Sequence, residues 1–427
     1  MSTQTEHDFL LDPEPRVRYY TVISVDDHLV EPPDLFTDRE PVRFRGRFPK
    51  VIELEKGRTY SREHSDLPPL TINQEGRQAW AYEDRVFLQI GLNAVVGHRD
   101  HSRLRSDPST FAEMRPGCYD VHARVRDMDI AGIWASVNFP SQVAGFAGAV
   151  FSSSADPGLG QAVTRAWNDW MYEEWHGAHP DRLIPLGITW LADPVVGASE
   201  IRRNADRGFS AVSFPEMPHR LGYPPAHDDH WEPIIRACVE TGTVLCLHVG
   251  SSGMLPLPPT GPRFEKNVTL FPALSLLACV EWLWSGYPAR YPDLKIALSE
   301  GGMGWVPMLM DRLEFITEHA GRTADFERWV GRRSPSEVLS DNFWFCSLDD
   351  PSTLGLLDRI GEDHVMVEVD YPHSDTTWPD TQEALRSSFC RVPGLSDAQV
   401  AKLTHANAAA LFRHPLPTDG AWPVCGT

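Results

Sequence analysis

The sequence predicts an α/β fold: a (β/α)8 barrel of the TIM type with an insertion between its first and second strands. Three observations carry that expectation. Eight short apolar runs, beginning near residues 21, 133, 183, 211, 243, 295, 342 and 365, are separated by segments of helical periodicity. The runs are apolar throughout and do not alternate, as strands of a parallel sheet buried on both faces must be. Five of the eight stop on ionisable residues, where a barrel keeps its chemistry. An open doubly wound sheet would share the alternation. However, no G-x-G-x-x-G follows the first run and no G-x-x-x-x-G-K-[ST] occurs, so its nucleotide-binding versions lack support.

Taken in order, residues 1–20 form an N-terminal arm, 21–412 the barrel and 413–427 a C-terminal tail. The arm is polar and acidic from Met1 to Pro15 and has no apolar stretch of the kind a signal peptide needs. The first strand, Thr21-Val22-Ile23-Ser24-Val25, is β-branched and ends on Asp26-Asp27-His28. Residues 31–118 are rich in Pro, Arg and Asp and read as an inserted covering region, with a hairpin at Trp80–Leu88 bending at Glu83-Asp84. Helices are expected at Tyr119–Ala131, Gly160–Ala178, Pro194–Arg207, His230–Thr241, Phe271–Tyr287, Gly304–Glu318, Pro351–Ile360 and Asp397–Phe412. Strands fall between them, including Leu183–Trp190. Trp167, Trp170 and Trp175 share one helical face and read as packing, whereas Arg124 and Arg126 read as surface residues.

Composition narrows the class. A formal net charge of −20 argues against nucleic acid and anionic membranes as partners. No run approaches the roughly 18 uninterrupted apolar residues of a membrane span. The seven cysteines are scattered without a C-x-x-C pair, which fits reduced thiols in a cytoplasmic protein. Any metal must then be held by His, Asp and Glu.

Those residue types stop the strands. In extended chain, residues i and i+2 share a side, so Asp26 and His28 can reach a common point. Later strands end on Phe214-Pro215-Glu216, Leu247-His248-Val249-Gly250, Ser299-Glu300-Gly301-Gly302 and Val369-Asp370-Tyr371-Pro372-His373. A charge at the end of an apolar strand needs a partner or water, and this pattern points to a divalent metal. The loop from Glu216 through His219, Arg220 and His227, together with His373, supplies groups to meet a small-molecule substrate. A proline-rich loop, Ser251–Asn267, leaves the strand end at His248 and is expected to lie over the pocket. Gly250-Ser251-Ser252-Gly253 is not the G-x-S-x-G of a serine hydrolase.

The succession D-x-H, Leu-His-Val-Gly, Leu-Ser-Glu-Gly-Gly and Val-Asp-Tyr-Pro-His resembles the amidohydrolase superfamily over roughly residues 20 to 410. The nearest branch is that of 2-amino-3-carboxymuconate semialdehyde decarboxylase and related aromatic-acid decarboxylases. The resemblance implies a divalent metal held by Asp26, His28, His248 and Asp370, with Glu300 as general base or further ligand, and a homodimer. Helix Phe271–Tyr287, with Trp282 and Trp284, would serve an interface or the barrel's own outer layer. Two departures stand out. Asp26 replaces the first His or Glu of the family's opening pair, and Glu300 replaces a histidine of the decarboxylases. The donor set suits zinc, manganese or iron. The reading is hydrolysis or decarboxylation of a small carboxylated or cyclic substrate, with Asp370, Glu300 and His248 as catalytic groups. The alternative is a non-haem iron monooxygenase, with Asp26, Glu300, Asp370, His28, His248 and His373 holding two ions.

Overall fold

Helix starts in this chain follow a repeated rule. Asp156-Pro157 and Asp193-Pro194 each place a side-chain acceptor before a proline in the first turn. The aspartate satisfies orphan amides of that turn, and the proline gives up an amide that would have lacked a partner anyway. Asp120 caps helix Val121–Ala131 in the same way, accepting from the Ala123 amide at 2.6 Å. That helix and Glu232–Thr241 stop at Gly132 and Gly242, both left-handed, a conformation glycine adopts without strain. The computed structural model describes residues 11–61, 69–89, 91–98, 109–258, 261–319, 333–418 and 422. Residues 1–10 of the arm, Pro259 of the proline-rich loop and most of the tail, Cys425 included, lie outside them.

Fourteen strands are described, numbered here in chain order. β1 (Ile23–Leu29), β7 (Ala135–Pro140) and β8 (Leu183–Ile184) pair in parallel, as do β9 (Leu186–Gly187), β10 (Ala211–Phe214), β11 (Val244–His248), β12 (Ile296–Ser299), β13 (Phe343–Ser347) and β14 (Val365–Val367). β8 and β9 are one barrel strand interrupted at Pro185, which has no amide to donate. The eighth strand's extension closes on the first: the Asp370 amide donates to the Asp26 carbonyl at 2.8 Å, and the His28 amide to the Tyr371 carbonyl at 2.6 Å. The result is the expected (β/α)8 barrel.

Its interior holds Ile23, Val25, Ala135, Val137, Ala211, Val244, Cys246, Ala297, Cys346 and Met366, and Leu411 and Phe412 join the same cluster from helix Asn407–Phe412. The neighbours of these residues along the strands, such as Val212, Leu245, Ile296 and Phe345, pack outward against the helices. Trp167, Trp170, Trp175 and Trp282 are buried. Two expected helices are shorter than their periodicity implied. The long one ends at Leu283, before left-handed Gly286, and Pro351–Ile360 divides into Pro351–Leu354 and Leu357–Ile360.

Between β1 and β7 the chain forms an antiparallel sheet, β2 (Lys50–Glu53) with β5 (Gln78–Tyr82) and β6 (Arg85–Leu88), and a small ladder of β3 (Thr59–Tyr60) with β4 (Leu70–Thr71). The hairpin bends at Glu83-Asp84 as its sequence implied. Trp80, Tyr82 and Phe87 share a core with Phe151, Leu159 and Trp167 of the barrel's helical layer. Farther along, the Val95 amide donates to the Pro372 carbonyl at 2.9 Å, which brings the insertion to the rim beside His373. No described helix is long and apolar enough to cross a membrane.

Candidate metal centre

The site begins with an irregularity in β1. Ile23 and Val25 face the barrel interior, so strict alternation would aim Asp27 inward and both Asp26 and His28 outward. The pairing with β7 runs Ile23–Ala135 and Ser24–Ser136, then Asp27–Asn138 and His28–Phe139, so β1 carries one extra residue. A bulge reverses the facing of everything beyond it. Asp26 and His28 therefore turn into the mouth. Asp27 turns away, accepting from Ser24 Oγ at 3.0 Å and from the Tyr371 amide at 3.1 Å.

Four strand ends then converge. His28 Nε2 lies 2.8 Å from His248 Nε2 and 3.6 Å from both Asp26 Oδ1 and Asp370 Oδ1. His248 Nε2 lies 3.4 Å from Asp26 Oδ2 and 3.7 Å from Glu300 Oε2. His373 joins from the rim, with Nδ1 at 3.2 Å from Asp370 Oδ1 and its ring stacked on His28 at 3.7 Å. The donor atoms form two groups, each within 4.8 Å: Asp26, His28 and His248, and His28, Asp370 and His373. His248 Nδ1 is 2.7 Å from the Val249 carbonyl, which fixes the proton there and leaves the Nε2 lone pair facing the cluster.

Electrostatics define the kind of group the cluster suits. Asp26 and Asp370 are buried, and none of their four carboxylate oxygens receives a well-aligned hydrogen bond from a described residue. Burial, then the Asp27 charge, holds Asp26 well above the carboxylate range. Burial, then Glu300 and Asp26, does the same to Asp370. Glu300 is raised by burial against the opposing pull of His248. Burial first, then neighbouring rings and Arg124, drives His28 far down and His373 to about 3. A bound cation would favour the ionised form of these carboxylates, and the imidazoles, already neutral, offer the lone pairs it needs. The donors present fit such an ion: oxygens and imidazole nitrogens without thiolate suit zinc, manganese or iron. Glu300 and Asp370 also sit at φ 62° and 55°, a left-handed backbone that is costly for non-glycine residues and clusters at functional sites.

Aromatic rings wall the cluster. Phe146 lies 5.1 Å from His28 and 4.6 Å from His248, and Phe139 lies 5.0 Å from His248. The loop carrying Phe146 is anchored by buried Glu31, which accepts from the Gln142 amide at 2.9 Å and the Ala144 amide at 3.4 Å. Burial pushes Glu31 up to about 7.

The proposed substrate groups divide. Glu216 is buried beside His248, and burial raises it to about 7. His373 belongs to the cluster itself. His219 instead lies 3.5 Å from Glu281, and Arg220 donates to the Gly253 and Met254 carbonyls, tying the loop after β10 to the loop after β11. His227 is exposed. None of these last three has a hydrogen bond, ion pair or ring contact with the cluster among the described residues.

The surface position expected for Arg124 is wrong. Arg124 is fully buried, donates to the Gly117 carbonyl at 2.8 Å and to the His28 carbonyl, and lies 4.1 Å over the Tyr371 ring. It shares a helical face with buried Met128 and Ala131, a spacing already present in the sequence. Arg126 is exposed. Glu31 and Glu368 also went unassigned. For Glu368 the signal was a charge between valines in an apolar strand.

A parallel barrel whose mouth gathers imidazoles and carboxylates defines the class of metal-dependent (β/α)8 enzymes. A family model described as amidohydrolase matches residues 120–414, and the chain belongs to that family. Its fold is similar to that of an amidohydrolase from Mycobacterium avium subsp. paratuberculosis, at TM-score 0.64 and 21% identity over 93% of this chain and 99% of the other. It is also similar to 5-carboxyvanillate decarboxylase from Sphingomonas paucimobilis (TM-score 0.60, 18% identity, 92% and 99% covered). A manganese-bound dihydroxybenzoic acid decarboxylase from Polaromonas matches at TM-score 0.56 and 17% identity, with 92% and 97% covered. At these identities the likeness is one of fold.

Proposed function

We propose that this protein decarboxylates or hydrolyses a small carboxylated, aromatic or cyclic substrate, using a divalent metal held by Asp26, His28, His248 and Asp370. One observation carries the reading: the buried, unpartnered oxygens of Asp26 and Asp370 face the Nε2 atoms of His28 and His248. A bound divalent ion would act as a Lewis acid, polarising a carboxylate or carbonyl and activating water. The chain's own groups supply the rest. His248 keeps its proton on Nδ1. Glu300, 3.7 Å from His248 Nε2, is the group that takes or gives a proton beside the reacting centre. Phe139 packs in the barrel core against His248, and the partly buried Phe146 beside it offers an apolar ring and helps to exclude water. Solved decarboxylases of similar fold act on hydroxylated benzoates, and that is the substrate class to try first.

A second reading, two ions supporting oxygenation, draws on the two overlapping donor groups, Asp26 with His248 and Asp370 with His373, between which the single lone pair of His28 Nε2 would serve one ion. Elemental analysis of protein purified without added metal, followed by a screen of hydroxybenzoates for carbon dioxide release and of lactones and amides for hydrolysis, separates the two. About one manganese or zinc per chain with turnover in either screen supports the first reading. About two irons per chain with dioxygen consumption replaces it with the second. No metal uptake on reconstitution removes both.

A further inference from the structure

One buried acid below the cluster is not used by the chemistry above. Glu368 extends β14 and follows Met366 in facing the barrel interior, one layer beneath Asp370. Its Oε2 accepts the Glu300 amide at 3.0 Å and also receives the Cys346 thiol. The same Glu300 amide lies 3.2 Å from Cys346 Sγ. Three adjacent strands, β12, β13 and β14, are thus tied together at Glu300. That residue holds φ at 62°, which an L side chain rarely adopts without support. If the Glu300 backbone relaxed to a negative φ, its carboxylate would leave its place 3.7 Å from His248 Nε2.

We propose that Glu368 is a positioning residue: by accepting the Glu300 amide, with the Cys346 thiol fixing its carboxyl, it holds Glu300 left-handed and delivers the Glu300 carboxylate to His248. The proposal rests on the assignment of Glu300 to the reacting centre. Glu368 itself touches neither His248 nor Asp26 through any hydrogen bond among the described residues. What it supplies is an acceptor, so a neutral amide oxygen in the same place does the same work, and its charge is not required.

The test compares Glu368→Ala and Glu368→Gln with the wild type by crystal structures of the metal-free proteins, manganese titration, and kcat and KM on any substrate the wild type turns over. In Glu368→Ala the Glu300 backbone leaves the left-handed region and its carboxylate moves by about 1 Å or more from His248. kcat then falls roughly 10²-fold, with KM and manganese stoichiometry close to wild type. Glu368→Gln keeps Glu300 in place and restores kcat to within about fivefold of wild type, a small step on the same scale. Glu300 unmoved in Glu368→Ala overturns the proposal, as does equal impairment of the Ala and Gln variants. If Glu368→Ala does not fold, Glu368→Leu, which keeps the volume but offers no acceptor, takes its place with the same two outcomes. A wild type that binds no divalent ion defeats the functional reading alone, because the metal-free crystal structures still decide where Glu300 sits.

Discussion

His28 Nε2 and His248 Nε2 lie 2.8 Å apart although β1 and β11 stand on opposite sides of the barrel. An N–H of one ring donating to the other spans that distance, and a cation taking a lone pair from each ring would draw both toward one point. His248→Ala is therefore expected to lose bound metal and turnover together while the barrel stays folded. Phe139 and Phe146, with ring centroids 5.0 and 4.6 Å from that of His248, flank the space it leaves. Manganese titration and circular dichroism check this. Full activity with unchanged metal content removes His248 from the site.

Glu300 separates differently. Its carboxylate lies near His248 but outside both of the tight donor groups. Glu300→Gln keeps the volume and the backbone amide while removing the acid. Turnover is expected to fall by roughly 10²- to 10⁴-fold, the usual worth of general acid–base catalysis. Metal content should change little. Parallel losses of metal and turnover would instead make Glu300 a ligand.

Much of this site was legible in the sequence, for a physical reason. A charge ending an apolar strand has few structural explanations, so Asp26, His28, His248, Glu300 and Asp370 stood out one strand at a time. The barrel followed from runs such as Val244–Leu247 and Ile296–Leu298, whose residues are buried on both faces. What stayed hidden depends on register and packing. Alternation pairs Asp26 with His28, but only the extra residue in β1 turns the pair inward, and a bulge leaves no compositional trace. Arg124 looked like a surface charge because its partners, the Gly117 and His28 carbonyls, are backbone atoms contributed by other segments. The loop residues His219, Arg220 and His227 were read by chemistry alone, and the course of a loop is not written in its residue types.

The buried Glu31 predicts a pH dependence of stability. Its carboxyl ionises at about 7 in the fold against an ordinary 4.5. Between those values the folded protein holds a proton that the unfolded chain has released, so stability falls as pH rises through this window and levels off above it. At about 1.4 kcal/mol per unit, the loss is about 3 kcal/mol. Glu31→Gln cannot ionise and lacks this term. Urea denaturation at pH 5 and pH 8 should show the variant gaining on the wild type at the higher pH. Parallel curves for the two proteins would contradict the assignment.

Arg124 is the buried cation against which Asp27 and the His28 backbone are set. Burial raises Asp27 to about 6, and the Arg124 charge is the largest influence opposing that rise. Arg124→Met fills the space but leaves the Gly117 and His28 carbonyls without their donor and Asp27 without its counter-charge. Removing one partner from a buried charged arrangement costs about 3–5 kcal/mol, and the loss should appear as a lower urea midpoint. Because the guanidinium holds the carbonyl of His28 itself, manganese affinity should fall by roughly 10- to 100-fold as well, the range seen when outer-shell supports of metal ligands are removed. Arg124→Lys retains the charge but cannot donate to both carbonyls in the fork geometry of a guanidinium. It should recover much of the stability and less of the affinity. A methionine variant within about 1 kcal/mol of wild type would show that the charge inside the fold is not needed there.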